Sequence, residues 1–303
     1  MVFACTALPR RFRRRRLLIV GCGDVGLRLA RLSGSRWHLL ALTSSPHRYN
    51  DLRAHGVTPL SGNLDDPATL QRLRGLAHSV VHLAPPPSQG QTDPRTRHLL
   101  QALRGSPSWR QWVYGSTTGV YGNCLGEQFD ETRMVAPQTP RARRRVDAER
   151  QVREAGRTAC LRSHILRIPG IYASGRTGGP RERLLRGVPV LQAPDDGYTN
   201  HIHADDLTRA LMLTLFRGKP QRVIHACDDL DMKTGDYFDM AATLYGLPPP
   251  RRISLEQAPA EVSAMTLSFW RESRRLKNHR LKQELRMKLW YPSLAQAIAA
   301  GAA

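Results

Sequence analysis

Leu17-Leu18-Ile19-Val20-Gly21-Cys22-Gly23-Asp24-Val25-Gly26-Leu27-Arg28-Leu29-Ala30 is the stretch whose reading decides the fold of this 303-residue chain. Four apolar residues make a short buried strand. Gly21-x-Gly23-x-x-Gly26 then turns directly into a helical pattern with Val25, Leu29 and Leu32 on one face. The spacing predicts the strand, glycine turn and helix of a dinucleotide site. Gly21 makes the tight turn, Gly23 lets the backbone approach a diphosphate, and Gly26 lets helix and strand pack closely. Asp24 and Val25 open the helix, whose exposed N–H groups and positive dipole end face the phosphates.

Working outward, the same alternation recurs. Trp37 to Leu42 reads as a second strand and Val57 to Leu60 as a third. After the third, Asp66 is placed to cap a helix begun by Pro67. Ser79 to Ala84 is a fourth strand, ended by Pro85-Pro86-Pro87. A short helix near Thr96 to Leu103 and a fifth strand, Gln111 to Tyr114, follow. Strands and helices at this spacing predict an α/β fold with a doubly wound parallel sheet, the NAD(P)-binding Rossmann type, and a ligand at the strands' carboxyl ends. The expected division is a basic arm over residues 1–16, a dinucleotide-binding domain over 17–168, and a smaller C-terminal substrate part over 169–303. The last sheet strand, near 221–227, interleaves the two.

The end of the second strand selects the cofactor. An acid there would bond the adenosine ribose hydroxyls and repel a 2′-phosphate. Thr43, Ser44 and Arg48 stand there instead, with no acid between them. NADP is therefore the expected cofactor, with NAD as the alternative.

Composition narrows the partners. The 46 basic residues against 25 acidic ones give +21, and nearly all the basic residues are arginine. Such a field attracts polyanions at low salt. The arginines are dispersed through every segment with no aromatic stacking platform among them, which argues against a nucleic-acid partner and for solvated surfaces. No run of about 18 apolar residues predicts a membrane span. The leader ending Arg13-Arg14-Arg15-Arg16 lacks the apolar core of a secretory signal; an acid-free, Arg-rich leader also suits a mitochondrial transit peptide, but this one has a single threonine and no serine. Five singly scattered cysteines, Cys5, Cys22, Cys124, Cys160 and Cys227, suit free thiols in a reducing, cytoplasmic setting, and no metal-ligand spacing is present. Monomer and homodimer remain open.

Gly62-Asn63-Leu64-x-Asp66, Val81-His82-Leu83-Ala84, Thr117-Thr118-Gly119-Val120-Tyr121-Gly122, Ile168-Pro169-Gly170-Ile171-Tyr172 and His201-Ile202-His203-Ala204-Asp205-Asp206-Leu207 follow the glycine turn in order. Together they resemble the extended and atypical branches of the short-chain dehydrogenase/reductase superfamily, the NAD-dependent epimerase/dehydratase-like group. The resemblance implies that Asn63, Leu64, Leu83 and Ala84 line the cofactor and that Pro169 lies near its nicotinamide. It also implies a catalytic hydroxyl at Thr117, followed by a Tyr-x-x-x-Lys pair whose tyrosinate moves the proton and whose lysine holds the nicotinamide ribose. The matching segment here is Pro137-Gln138-Thr139-Pro140-Arg141-Ala142-Arg143-Arg144-Arg145, followed by Glu149, so arginines stand at both positions. A guanidinium, with a pKa above about 12, is no general base near neutrality. Arg145 still suits a ribose or phosphate. Tyr121, on the loop of Thr117, is the first substitute base, with His164 and Tyr172 behind it.

In the last third, Ser174 to Arg181 is glycine-rich and basic, a flap over an anionic substrate. Asn200, His203 and Asp205 resemble a bracing segment, and two histidines at i, i+2 make a poor metal site. The resemblance points to hydride transfer between NADP and a small, anionic carbonyl or sugar-type substrate. The alternative is a non-catalytic dinucleotide sensor or scaffold with an acidic partner.

Overall fold

The structure, a computed structural model, describes residues 15–106, 108–159 and 161–303. Seven strands, β1 (Arg15–Val20), β2 (Trp37–Thr43), β3 (Thr58–Ser61), β4 (Ser79–His82), β5 (Gln111–Thr117), β6 (Arg162–Ile168) and β7 (Arg222–His225), form one sheet. Its order is β7-β6-β5-β4-β1-β2-β3 and every pairing is parallel. The order reverses between β1 and β4, which opens a crevice beyond their carboxyl ends. The main helices are α1 (Asp24–Ser33), α2 (Tyr49–Ala54), α3 (Pro94–Leu103), α4 (Pro140–Thr158), α5 (Pro180–Leu185), α6 (Ala204–Arg217) and α7 (Thr234–Tyr245).

The central strands are rich in buried apolar residues on both faces because both faces of the sheet are covered. Leu17, Ile19, Leu39, Ala41, Val81, Val113, Leu166 and Ile224 pack on one face with Leu29 of α1 and Leu207, Leu211 and Leu215 of α6. Their neighbours Leu18, Val20, Leu40, Leu42, Val80, Trp112, Tyr114, Ile165 and Val223 pack on the other with Leu99 and Leu103 of α3 and Ala148 and Val152 of α4. Period-two alternation thus feeds two cores from one run, and each fully buried aliphatic side chain contributes about 1.5–3 kcal/mol.

Three expectations are corrected. Arg15 and Arg16, assigned to the basic arm, are the first residues of β1, paired with Trp37 and His38; the arm's other residues, with Cys5, lie outside the described residues, as does Cys160. The helix after Pro67 is a 3₁₀ turn, Pro67–Leu73, although Asp66 does cap it by accepting from the Ala68 N–H at 3.1 Å. The fourth strand stops at His82, because Leu83 and Ala84 N–H both turn to the Val20 carbonyl, at 2.7 and 3.0 Å.

After β6 the chain builds the C-terminal part on a second set of buried groups, Tyr172, Val190, Tyr237, Phe238 and Leu294, and on Leu191, Ile253, Ala258 and Trp270. It returns to the sheet for β7 and leaves again. Cys22, Cys124 and Cys227 are free and buried. No helix among the described residues is long and apolar enough to cross a membrane. No group of three or more potential ligands among them is arranged to hold a metal ion.

Candidate cofactor and substrate clefts

The glycine turn has the geometry that each glycine requires. Gly21 has φ +84°, and a Cβ built on it would lie 2.3 Å from the Ala84 nitrogen and 2.8 Å from the Leu83 carbonyl carbon. Gly26 brings α1 against β1, where a Cβ would meet Ile19 Cγ2 at 3.3 Å and Cys22 Sγ at 3.2 Å. Gly23 faces open space, with nothing within 4 Å of a built Cβ. A bound diphosphate would use that opening.

Gly21, Gly23, Asp24, Val25, Gly26, Leu83, Thr117, Arg145 and Pro169 are brought together around one cleft of about 330 Å³. Arg48 reaches back from the β2 end, and its Nη1 donates to the Cys22 carbonyl at 2.7 Å. Its guanidinium therefore stands at the glycine turn, with Nη2 3.2 Å from Asp51. Thr43 ends β2 and its hydroxyl accepts from the Ser45 N–H at 3.1 Å, closing the turn that contains Ser44. Asn63 and Leu64 follow β3, where Asn63 Oδ1 accepts from the Asp65 N–H at 3.0 Å. Arg48 and Ala84 touch the turn, but neither they nor Thr43, Ser44, Asn63 and Leu64 line this cleft.

A second cleft, of about 720 Å³, opens on the C-terminal side. Thr117 and Pro169 line both cavities. Thr117 ends β5, and Pro169 follows β6, whose Ile168 pairs with Thr117. Helix α4 serves both clefts. It starts where Thr139 accepts from the Ala142 N–H at 3.2 Å, with Pro140 at its first position. Arg141 and Arg145, one turn apart, share a face. Arg145, which lines the smaller cleft, donates from Nη1 to the Tyr114 hydroxyl at 3.0 Å and the Gly115 carbonyl at 2.8 Å. Arg141 lines the larger cleft, its guanidinium 4.2 Å from the Phe269 ring centroid. Burial lowers its pKa from the usual guanidinium value.

Tyr121 is not brought to either cleft, which removes the geometric basis for making it the proton-transfer base. The 3₁₀ turn Thr118–Tyr121 carries its ring inward, where it is 1% exposed. Arg167 Nη1 donates to its hydroxyl at 2.5 Å, and that hydroxyl donates to His225 Nε2 at 2.5 Å. His225 Nδ1 in turn donates to the Lys277 carbonyl at 2.9 Å. Burial pushes the Tyr121 pKa up to about 12. His164 is fully buried in β6, its pKa pushed down to about 4 by desolvation. The Tyr172 hydroxyl is buried as well, with its pKa raised by burial and by Asp228.

Three residues not singled out in the sequence stand at these clefts. Glu272 lines the larger one, 4% exposed at its side chain and ion-paired to Arg274 at 2.5 Å. A Cβ built on Gly119 would be 3.7 Å from Glu272 Oε2 and 3.8 Å from Thr117 Oγ1, so acid and hydroxyl both approach the Gly119 backbone. Arg183, on α5, lines the same cleft; its guanidinium stacks 4.6 Å over the Phe238 ring centroid, and its buried Nη2 has no hydrogen-bond partner among the described residues. Arg176, in the glycine-rich segment after β6, lines the smaller cleft. Nothing but an acid among arginines marked Glu272 in the sequence.

Asn200 ties the C-terminal part together, donating from Nδ2 to the Arg274 carbonyl at 2.8 Å and accepting from the Leu276 N–H at 3.0 Å. His203 Nδ1 accepts from the Asp205 N–H at 3.2 Å, so its Nε2 carries the proton donated to the Ala302 carbonyl at 2.9 Å.

Comparison with known proteins agrees with this architecture. No curated protein matches the chain. Among solved structures, a functionally unknown conserved protein from Silicibacter pomeroyi DSS is 30% identical over 94% of this chain and 97% of that one, with a TM-score of 0.79. UDP-glucose 4-epimerase from Thermotoga maritima, solved with UDP-glucose, shares the fold at 17% identity, covering 93% of this chain and 96% of that one with a TM-score of 0.75. A double mutant of dTDP-glucose 4,6-dehydratase from Streptomyces venezuelae, solved with NAD bound, does so at 20% identity, covering 94% and 96% with a TM-score of 0.73. The sequence model of the NAD dependent epimerase/dehydratase family matches residues 17–227, from inside the glycine-turn strand to just beyond the last sheet strand. By that match, which spans the glycine turn and nearly the whole of the seven-stranded sheet, the chain belongs to the NAD-dependent epimerase/dehydratase family.

Proposed function

We propose that this protein binds NADP in the smaller cleft and transfers hydride reversibly between it and an anionic sugar-type or small carbonyl substrate in the larger one. The observation that carries the reading is the shared wall, since Thr117 and Pro169 border both cavities. Hydride passing between two ligands requires that they meet at such a boundary. The residues fit the cofactor: Gly21 and Gly23 leave room at the helix N-terminus, and Arg48 at the turn suits a 2′-phosphate. When bound, the nicotinamide supplies the hydride chemistry.

The chain's own side chains do the rest in this reading. Arg145 holds the nicotinamide ribose in place of the family's lysine. Thr117 orients the substrate oxygen, and the Glu272 carboxylate, which lines the same cleft, takes the proton that the tyrosine would have taken. Arg141 and the unpartnered Nη2 of Arg183 favour negative charge in the larger cleft. UDP-glucose and dTDP-glucose, which carry a diphosphate, are the substrates to test first.

The second reading, a dinucleotide sensor, draws on the burial of Tyr121, which leaves neither cleft with a tyrosine in the family's base role. One experiment separates the two. The protein is titrated with NADPH and NADH by cofactor fluorescence at two salt concentrations, then assayed for new sugar products from the two nucleotide sugars with either oxidised cofactor and for NADPH oxidation by a panel of aldehydes and ketones. Enzyme action predicts NADPH binding at least about tenfold tighter than NADH, a preference abolished in Arg48→Ala. It also predicts turnover that falls by about 10²–10⁴ in Glu272→Gln, with NADPH affinity unchanged. Tight binding without turnover of any substrate favours the sensor, and binding of neither cofactor rejects both.

A further inference from the structure

We propose that Arg176 is a clamp for the cofactor's diphosphate, held over the glycine turn by Asp24 until the cofactor arrives. The inference rests on the cofactor reading above and adds a residue that reading does not use.

Asp24 is the first residue of α1, beside the open face of Gly23. A carboxylate there repels an incoming diphosphate unless its charge is answered. Two guanidiniums answer it: Arg28 Nε lies 3.0 Å from Asp24 Oδ1, and Arg176 Nη1 lies 2.5 Å from Oδ2. Burial works against ionisation of this carboxyl, but the hydrogen bonds and charges of Arg28 and Arg176 outweigh it and hold its pKa below the usual carboxylate range.

The two arginines are not equivalent. Arg28 is also committed to Asp205, at 2.5 Å, so it is anchored between two acids. Arg176 has Asp24 as its one acidic partner among the described residues. It sits between Gly175, at φ +70°, and Gly178, at φ +80°, and a Cβ on either would meet nothing within 4 Å. Neither glycine carries a side chain that restricts the backbone on either side of Arg176. Arg176 lines the cofactor cleft together with Gly23 and Arg145. A diphosphate at Gly23 offers its guanidinium a doubly charged, bidentate acceptor in exchange for one carboxylate oxygen. Asp24 keeps Arg28 through the exchange, so no charge is stranded.

A purely structural ion pair gives the opposite expectation. It would pin the segment across the cleft, and breaking it would leave cofactor affinity unchanged or improved.

The test is an equilibrium titration of wild type, Arg176→Ala, Arg176→Gln and Arg48→Ala with NADPH and with NADH. Both Arg176 variants are expected to bind both cofactors about 10- to 100-fold more weakly, because the diphosphate is common to the two. Arg48→Ala should weaken NADPH alone. In an Arg176→Ala/Asp24→Asn double variant part of the lost affinity should return, since the unanswered carboxylate is gone. Melting temperatures of the unliganded variants should stay close to wild type, the pair being partly exposed. Arg176 variants that bind both cofactors as wild type does, or that lose NADPH alone, overturn the clamp while the cofactor reading stands. A wild-type protein that binds neither cofactor overturns the cofactor reading and the clamp with it.

Discussion

Glu149 and Arg167 form an ion pair in the protein interior, with side chains 4% and 2% exposed. The guanidinium forks onto both carboxylate oxygens, at 3.1 and 2.7 Å, while Ser116 donates to the same carboxylate at 2.6 Å and Tyr121 accepts from the remaining end. Removing one partner strands a charge where water cannot reach it. Glu149→Gln is expected to lower stability by about 3–5 kcal/mol, read as a shift in the urea midpoint, and Glu149→Leu/Arg167→Met to restore most of it. Loss of under 1 kcal/mol in the single variant would mean that the pair is hydrated. This network also explains why Tyr121 misled. Its place four residues after Thr117 is visible in the sequence, but the partners that turn its ring inward lie 46 and 104 residues away. A still longer separation along the chain hides Glu272 from Thr117.

At the scale of elements, the glycine turn was legible because its requirements are local. Positive φ at Gly21 and close packing at Gly26 depend on residues within one strand, one turn and one helix, and the alternating apolar strands depend only on period two. Gly21→Ala tests the turn as a unit. The added methyl group would meet backbone of the Leu83–Ala84 segment, which cannot rotate away as a side chain can. About 2–4 kcal/mol of destabilisation is expected from the strained φ and the clash, with loss of NADPH binding, measured by urea unfolding and cofactor titration. Wild-type values for both would show that the turn relaxes. Strand ends were less legible, because β4 stops where a neighbouring strand's carbonyl captures two N–H groups. The 3₁₀ turn at Pro67–Leu73 carries the same cap and proline that an α-helix would.

At the scale of the whole molecule, the surplus of arginine was read as solvated surface, and the structure gives much of it another use. Arg16, Arg144, Arg162, Arg217, Arg274 and Arg280 donate to the backbone carbonyls of Gly75, Gly90, Gly218, Leu285, Gly122 and Val223. Each ties a loop or strand end to a distant segment with donors that a lysine presents less rigidly. Histidines take the opposite course. Burial pushes His82, His201 and His225 down to about 3 and His164 to about 4, so all four are neutral in the fold. Each is depressed below its unfolded value, so its contribution is complete above about pH 6.5 and is lost as pH falls toward the folded pKa. By pH 5.5 the loss is about 1 kcal/mol per histidine. Melting temperature should be flat from pH 8 to 7 and fall by several degrees by pH 5.5, followed by circular dichroism. A flat profile to pH 5.5 would show that the histidines protonate without unfolding.

The chain leaves the sheet after β6, builds much of the C-terminal part, and comes back to add β7 beside the strand it left. The segment between them is therefore a loop stitched to the sheet at both ends rather than an appendage hung from one. It cannot swing free of the cofactor half, and a nascent chain that has reached residue 168 holds six of the seven strands with the edge of β6 still bare. Until the intervening fifty or so residues emerge and β7 closes that edge, the half-made sheet is open to pairing with another chain. The same stitching that keeps the two clefts in register in the finished molecule thus makes the interval before its completion the period of greatest exposure.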